Sequence, residues 1–262
     1  MEIGTLGKVA AAALLVALPL MATDEETVAE LFSEAGDRVA LYVSAGLSLG
    51  LIAGVVWGIS ALAGIDPGAM GWGRGPTGTG LAWAAGVTAA GLASVGLATK
   101  VMRAAGLPES RAVLFLLPRD RREAWAFVAL ALAAGVCEEY VFRGFLLHAV
   151  EAWTGDTLVA VAATSISFGL AHGYQRTAGV LRATMLGLLL AAPVAVTGSL
   201  FPAIAAHFGI NVIIGLGGWR WLAPGAGPEP PEDGSGGGAG SGNGSGREPD
   251  GDDPPGPPPP GR

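Results

Sequence analysis

Charge is what this 262-residue sequence most lacks: 15 Lys and Arg and 22 Asp and Glu make 14% of the chain, against 51% hydrophobic residues and a mean hydropathy of +0.50. That leaves too little charge to cover a soluble globule of this size. Cysteine is nearly absent as well, and the single Cys137 cannot form a disulfide within the chain. A disulfide-built secreted domain is therefore not expected. Nor is a nucleic-acid partner, because charge of either sign is so scarce.

The charge that exists is unevenly placed. Residues 223–262 contain 13 Gly, 11 Pro, seven acids and two arginines, so five of the seven net negative charges belong to this segment. Such a composition cannot bury enough apolar surface to offset its ordering entropy, and a disordered acidic tail is expected there. The remaining 222 residues carry only 28 charges.

What is present is a series of long apolar runs. Crossing about 30 Å of hydrocarbon takes roughly 17 to 25 helical residues at about 1.5 Å each. Charge-free candidates run over 39–65 and 79–99, and 124–150 is a third, interrupted by Glu138, Glu139 and Arg143. A fourth covers 157–174. The stretch 183–219 has no Asp, Glu, Lys or Arg, is too long for one span, and divides at the Thr197 to Pro202 break. Residues 9–23 are apolar but short, and read as a retained hydrophobic segment rather than a cleaved signal, with a helix starting at Thr23 or Asp24. The fold expected is all-α: a polytopic membrane bundle of about six to eight transmembrane helices. It divides into an N-terminal hydrophobic segment and linker (1–38), N-terminal spans with a basic loop (39–123), a core (124–222) and the tail (223–262).

Gly46, Gly50, Gly54 and Gly58 recur every fourth residue, and Gly86, Ala90, Ser94 and Ala98 repeat the pattern in the next span. Small residues let helices approach closely in lipid, so both stripes are expected to be packing faces. Residues 100–122 hold six basic residues against two acids, whereas 66–78 hold only Arg74 and 151–156 none. The positive-inside rule then places 100–122 in the cytoplasm.

Ionisable groups inside spans are costly and default to functional hypotheses. Glu139 and Arg143 are four residues apart, on one helical face with the acid first, the favourable order for an ion pair. Glu138 is rotated by about 100° and meets Phe142 at the same spacing, so it is left without a partner and available as a general base. His172 follows Phe168 by four residues, and His207 precedes Asn211 by four. Counted from the turn near 155, Glu138 and His172 lie at matching depth. His207, five residues past Pro202, reaches that level only if the preceding connection dips into the membrane or the preceding helix is short or bent, for instance at Pro193. His148 falls near a helix end. A buried structural network is the alternative for all of these groups.

Taken together, Glu138-Glu139-Tyr-Val-Phe-Arg143, Phe168-Gly-Leu-Ala-His172 and His207-Phe-Gly-Ile-Asn211 resemble the pattern of the CPBP family of intramembrane proteases, which takes in the CAAX prenyl endopeptidases and the bacterial Abi proteins. The resemblance covers about 124–222. It implies that Glu138 and His172 activate a water, that His207 and Asn211 donate hydrogen bonds to the oxyanion, and that Glu139, Arg143 and Phe168 support them. No cofactor is favoured. Two His and a Glu are also zinc-ligand types, so a metalloprotease with Glu138, His172 and His207 on the metal stays open. The substrate implied is a membrane-embedded or lipidated protein or peptide, cleaved by an integral protein of a prokaryotic plasma membrane. A non-catalytic scaffold or bacteriocin-immunity protein of the same fold is the alternative.

Overall fold

In hydrocarbon a chain must satisfy its own backbone polar groups, and long apolar runs do so as helices. The structure, a computed structural model, describes residues 3–34, 37–107, 110–218 and 220, and every regular element among them is helical. In chain order these are α1 (Thr5–Leu20), α2 (Glu25–Glu34), α3 (Arg38–Leu62), α4 (Gly78–Ala104), α5 (Arg111–Phe115) and α6 (Arg121–Glu139). A π-helical segment (Tyr140–Leu146) joins α6 to α7 (Leu147–Thr154). Then come α8 (Thr157–Leu170), a 3₁₀ turn (Gly173–Gln175), α9 (Arg176–Thr197), α10 (Phe201–Ile213) and a second π segment (Ile214–Gly218). The expected tail, 223–262, lies outside the described residues.

Polar caps set where the apolar runs begin. Asp37, Thr77, Asp120 and Asp156 each accept a backbone N–H two or three residues on, at 2.8 to 3.1 Å, and so start α3, α4, α6 and α8. Asp24 likewise accepts from the Thr27 N–H at 2.9 Å at the head of α2. α10 starts instead on Pro202, whose missing N–H costs nothing in a first turn.

Among the described residues four helices are long and apolar enough to cross a membrane: Arg38–Leu62, Gly78–Ala104, Arg121–Thr154 and Gly173–Thr197. A fifth appears if α1 and α2, bent by 67°, count as one span. This is fewer than the six to eight expected, and the physical reason is length. α8 has 14 residues, about 21 Å of helix, because the chain turns after Leu170 instead of continuing to 174. The helix that begins at Phe201 ends at Gly217, also short of a full crossing.

The small-residue stripes also differ from expectation. Only Gly46 meets a neighbour, Ala133 at 3.8 Å from a Cβ built on it, while Gly50, Gly54, Gly58 and Gly86 have nothing within 4 Å. α3 instead buries Tyr42, Val56 and Ser60, and α4 buries Gly80, Ala84, Val87, Gly91, Val95 and Thr99. The close helix approaches lie elsewhere. A Cβ on Gly135 would come within 3.2 Å of the Ile204 carbonyl oxygen of α10, and one on Gly187 within 3.0 Å of Ser165 on α8.

The connections sort to two ends of the bundle. At one, the loop before α4 packs on the α9–α10 connection: the Leu200 N–H donates to the Gly71 carbonyl at 3.0 Å, and the Ser199 hydroxyl to the Arg74 carbonyl at 3.2 Å. Gly71 has φ +80°, and a side chain there would strike the Gly198 carbonyl at 2.9 Å. At the basic end, Arg38 donates to the Phe115 and Leu117 carbonyls at 2.6 and 3.1 Å, and Arg122 pairs with Asp37 at 2.9 Å.

Candidate active site

Glu138 and Glu139 close α6 where the helix widens into the π segment, every residue of which is buried. Such widened turns occur frequently at functional sites. The Glu139 side chain is wholly buried, and its Oε1 accepts two bonds, from Arg143 Nη1 at 3.0 Å and from His207 Nδ1 at 2.8 Å. Arg143 also donates through Nη2 to the Gly187 carbonyl at 3.1 Å, and its guanidinium carbon sits 4.4 Å from the centre of the Phe168 ring. One buried network thus ties together α6, α8, α9 and α10. The Glu139–Arg143 pair was legible in their spacing; the bond from His207 was not, because it joins positions 68 residues apart.

His207 has one ring nitrogen committed. An ionised carboxylate only accepts, so Nδ1 carries the hydrogen in the bond to Glu139. Nε2 then faces Glu138, whose Oε2 lies 3.8 Å away, beyond hydrogen-bond length. That oxygen is buried and has no hydrogen-bond partner among the described residues. Of the two adjacent acids, Glu139 holds both hydrogen bonds through Oε1, with its own Oε2 also buried and unbonded, while Glu138 meets Nε2 of His207 only at ion-pair distance.

His172 is not inside a helix. It follows the end of α8 with φ −96° and ψ 28°, and its Nδ1 lies 2.8 Å from the Phe168 carbonyl. A carbonyl oxygen is only an acceptor, so Nδ1–H donates, satisfying one of the orphan carbonyls at the helix end and leaving the Nε2 lone pair free. The imidazole packs against the Phe168 ring at 4.6 Å between centroids, and His207 meets the same ring at 6.0 Å. Phe168 is thereby the common wall of both histidines.

Glu138, His172, His207 and Asn211 all line a single cavity of about 810 Å³. Most of its remaining lining is apolar, including Leu49, Ile52, Leu130 and Leu190, with Tyr174 and Arg182 as further polar wall groups. Arg182 is buried and donates to the Thr99 hydroxyl at 3.0 Å. His148, half-buried on α7, is not among the lining residues. The depth problem of His207 is solved by a sunken connection: Ser199 and Leu200 are buried beneath the loop that carries Gly71, so α10 starts inside the protein, while α9 continues past Pro193 to Thr197. Tyr174, expected as the end of the 157–174 span, lies instead in the turn two residues beyond His172, and no motif singled it out.

The donors do not form a metal set. Among the described residues no three His, Cys, Asp or Glu side chains are grouped to hold an ion. The trio Glu138, His172 and His207 is thus not gathered as a zinc site in this arrangement.

No curated protein and no solved structure matches the chain. Residues 120–213, from the cap of α6 to the end of α10 and so including all four cavity groups, match the family described as type II CAAX prenyl endopeptidase, Rce1-like.

Proposed function

We propose that the chain is an intramembrane endopeptidase that hydrolyses a peptide bond of a membrane-embedded or lipidated protein or peptide. The observation that carries this reading is the convergence of Glu138, His172, His207 and Asn211, from α6, the turn after α8, and α10, on one largely apolar cavity. Its wall suits hydrocarbon, and its few polar groups are those that peptide hydrolysis requires.

In this reading a water lies between the Glu138 carboxylate and Nε2 of His172. Glu138 takes one proton as the water oxygen adds to the scissile carbonyl carbon, and His172 accepts a hydrogen bond from the other. The carbonyl oxygen becomes an oxyanion, which receives hydrogen bonds from Asn211 and His207. Because Nδ1 of His207 is engaged with Glu139, the ring donates from Nε2 only as an imidazolium. In that form Glu138, Glu139, Arg143 and His207 sum to zero charge, the balance a buried cluster favours. Collapse breaks the carbon–nitrogen bond, and the proton held by Glu138 passes to the leaving amine.

The test is cleavage of a fluorogenic, farnesylated peptide by the purified protein in detergent. Glu138→Ala, His172→Ala and His207→Ala each abolish cleavage, and Asn211→Ala lowers kcat by about 10²- to 10³-fold, as for one lost oxyanion donor. A chelator leaves the parent rate unchanged. Cleavage at the parent rate by the three alanine variants would overturn the reading and leave a scaffold role.

A further inference from the structure

The turn that carries His172 is built in an unusual way. Arg176, where it enters α9, has φ 60° and ψ −175°, a backbone region occupied almost only by glycine. A non-glycine residue stays there when its surroundings hold it, and three bonds do so. The Arg176 Nε pairs with Glu25 of α2 at 3.1 Å, the Ser110 hydroxyl donates to the Tyr174 carbonyl at 3.0 Å, and the Gln175 N–H donates to the His172 carbonyl at 2.9 Å. The turn is thus pinned from α2, from the residue that starts α5, and from within.

What this strained turn presents to the cavity is not His172 alone. Tyr174 also lines the cavity, with its ring 6.0 Å from the imidazole of His172 and tilted 32° to it. Its hydroxyl oxygen accepts a hydrogen bond from Gln175 Nε2 at 3.0 Å, and among the described residues its own hydrogen has no acceptor. A phenol in a mostly apolar wall, with its oxygen already satisfied and its hydrogen unused, is a donor without an acceptor. A peptide in the cavity would supply one.

We propose that the Tyr174 hydroxyl is a substrate-binding donor of this cavity, which takes a backbone carbonyl of the peptide beside the scissile bond and is held in place by the pinned turn 172–176. The proposal rests on the endopeptidase reading for what the cavity binds, and adds a contact that the Glu138, His172, His207 and Asn211 set does not contain. Tyr174 acts on binding, while those four act on the bond that breaks.

The experiment compares Tyr174→Phe, which keeps the ring, with Tyr174→Leu, which removes it. The farnesylated peptide is used in two arms: turnover by the otherwise unchanged protein, and fluorescence-anisotropy binding to the Glu138→Gln protein, where no cleavage is needed. Tyr174→Phe is expected to raise KM and the dissociation constant by about three- to tenfold, the range of one neutral hydrogen bond, with kcat within about twofold of the parent. If Tyr174→Phe matches the parent in both arms, the proposal is wrong, and loss confined to Tyr174→Leu assigns the ring a packing role and overturns it equally. A parent that binds the peptide without cleaving it counts against the endopeptidase reading, while the binding arm still decides the role of Tyr174.

Discussion

At the scale of single residues, the two adjacent glutamates show how one helical offset divides labour. Glu139 has both a guanidinium and an imidazole on one oxygen, whereas Oε2 of Glu138 has no hydrogen bond. Removing one partner of a fully buried pair leaves an uncompensated charge, at a cost of about 3 to 5 kcal/mol. Arg143→Ala is therefore expected to unfold at a much lower temperature, and Glu138→Gln to keep the parent Tm while losing activity. Thermal unfolding in detergent with the cleavage assay checks both; equal Tm loss in the two variants would contradict the division. The Glu139–Arg143 pair could be read from i,i+4 spacing, since both partners sit on one helix turn. The bond from His207 could not, because it depends on how far α10 sinks beside α6: the break before Pro202 marked where the chain turns, not that Ser199 and Leu200 are buried there.

At the scale of elements, periodicity located the helices well and their packing faces poorly. Runs of apolar residues bounded by Asp and Thr caps give α3, α4 and α6 close to where the sequence placed them. Repeats of glycine did not identify contacts, because a stripe is equally compatible with a face turned to lipid. The close approaches fall on isolated glycines, and this yields a paired test. A Cβ at Gly187 would lie 3.0 and 3.1 Å from Cβ and Cα of Ser165 and 3.2 Å from Arg143 Nη2, so α8 or α9 must shift. Overpacking of this kind costs about 1 to 3 kcal/mol, and it displaces the carbonyl that Arg143 binds. Gly54 has nothing within 4 Å, and glycine within a helix is less stable than alanine by roughly 0.5 to 1 kcal/mol. Gly187→Ala is accordingly expected to lower the Tm and Gly54→Ala to hold or raise it. The opposite order would show that the stripe on α3, and not the α8–α9 contact, is the tight interface.

At the scale of the whole molecule, scarcity of charge identified a membrane protein, but it overcounted the spans. Hydropathy measures whether a run can be buried, not whether lipid or protein buries it. α8, with Ala160, Thr164, Ser165, Ser167 and Phe168 in its buried face, is covered largely by its neighbours and needs no full membrane width. Its shortness is what brings the His172 turn into the cavity. The described helices still fix which connections share an end. Arg38, Arg122, Phe115 and Leu117 meet at one end, and a span of 34 residues, Arg121–Thr154, separates that end from the Gly155 turn. With the basic residues gathered at the first end, the positive-inside rule leads one to expect it in the cytoplasm. The chain offers a clean means of testing this, since Cys137 is its only cysteine. In a Cys137→Ala background, single cysteines at exposed Arg103 and exposed Gly155 are expected to react with a membrane-impermeant maleimide from opposite sides. Arg103→Cys should label only in inverted vesicles, and Gly155→Cys only in intact, right-side-out ones. Labelling of both from one side would break the single-crossing assignment of Arg121–Thr154, while a clean exchange of sides would keep the bundle and reverse its orientation.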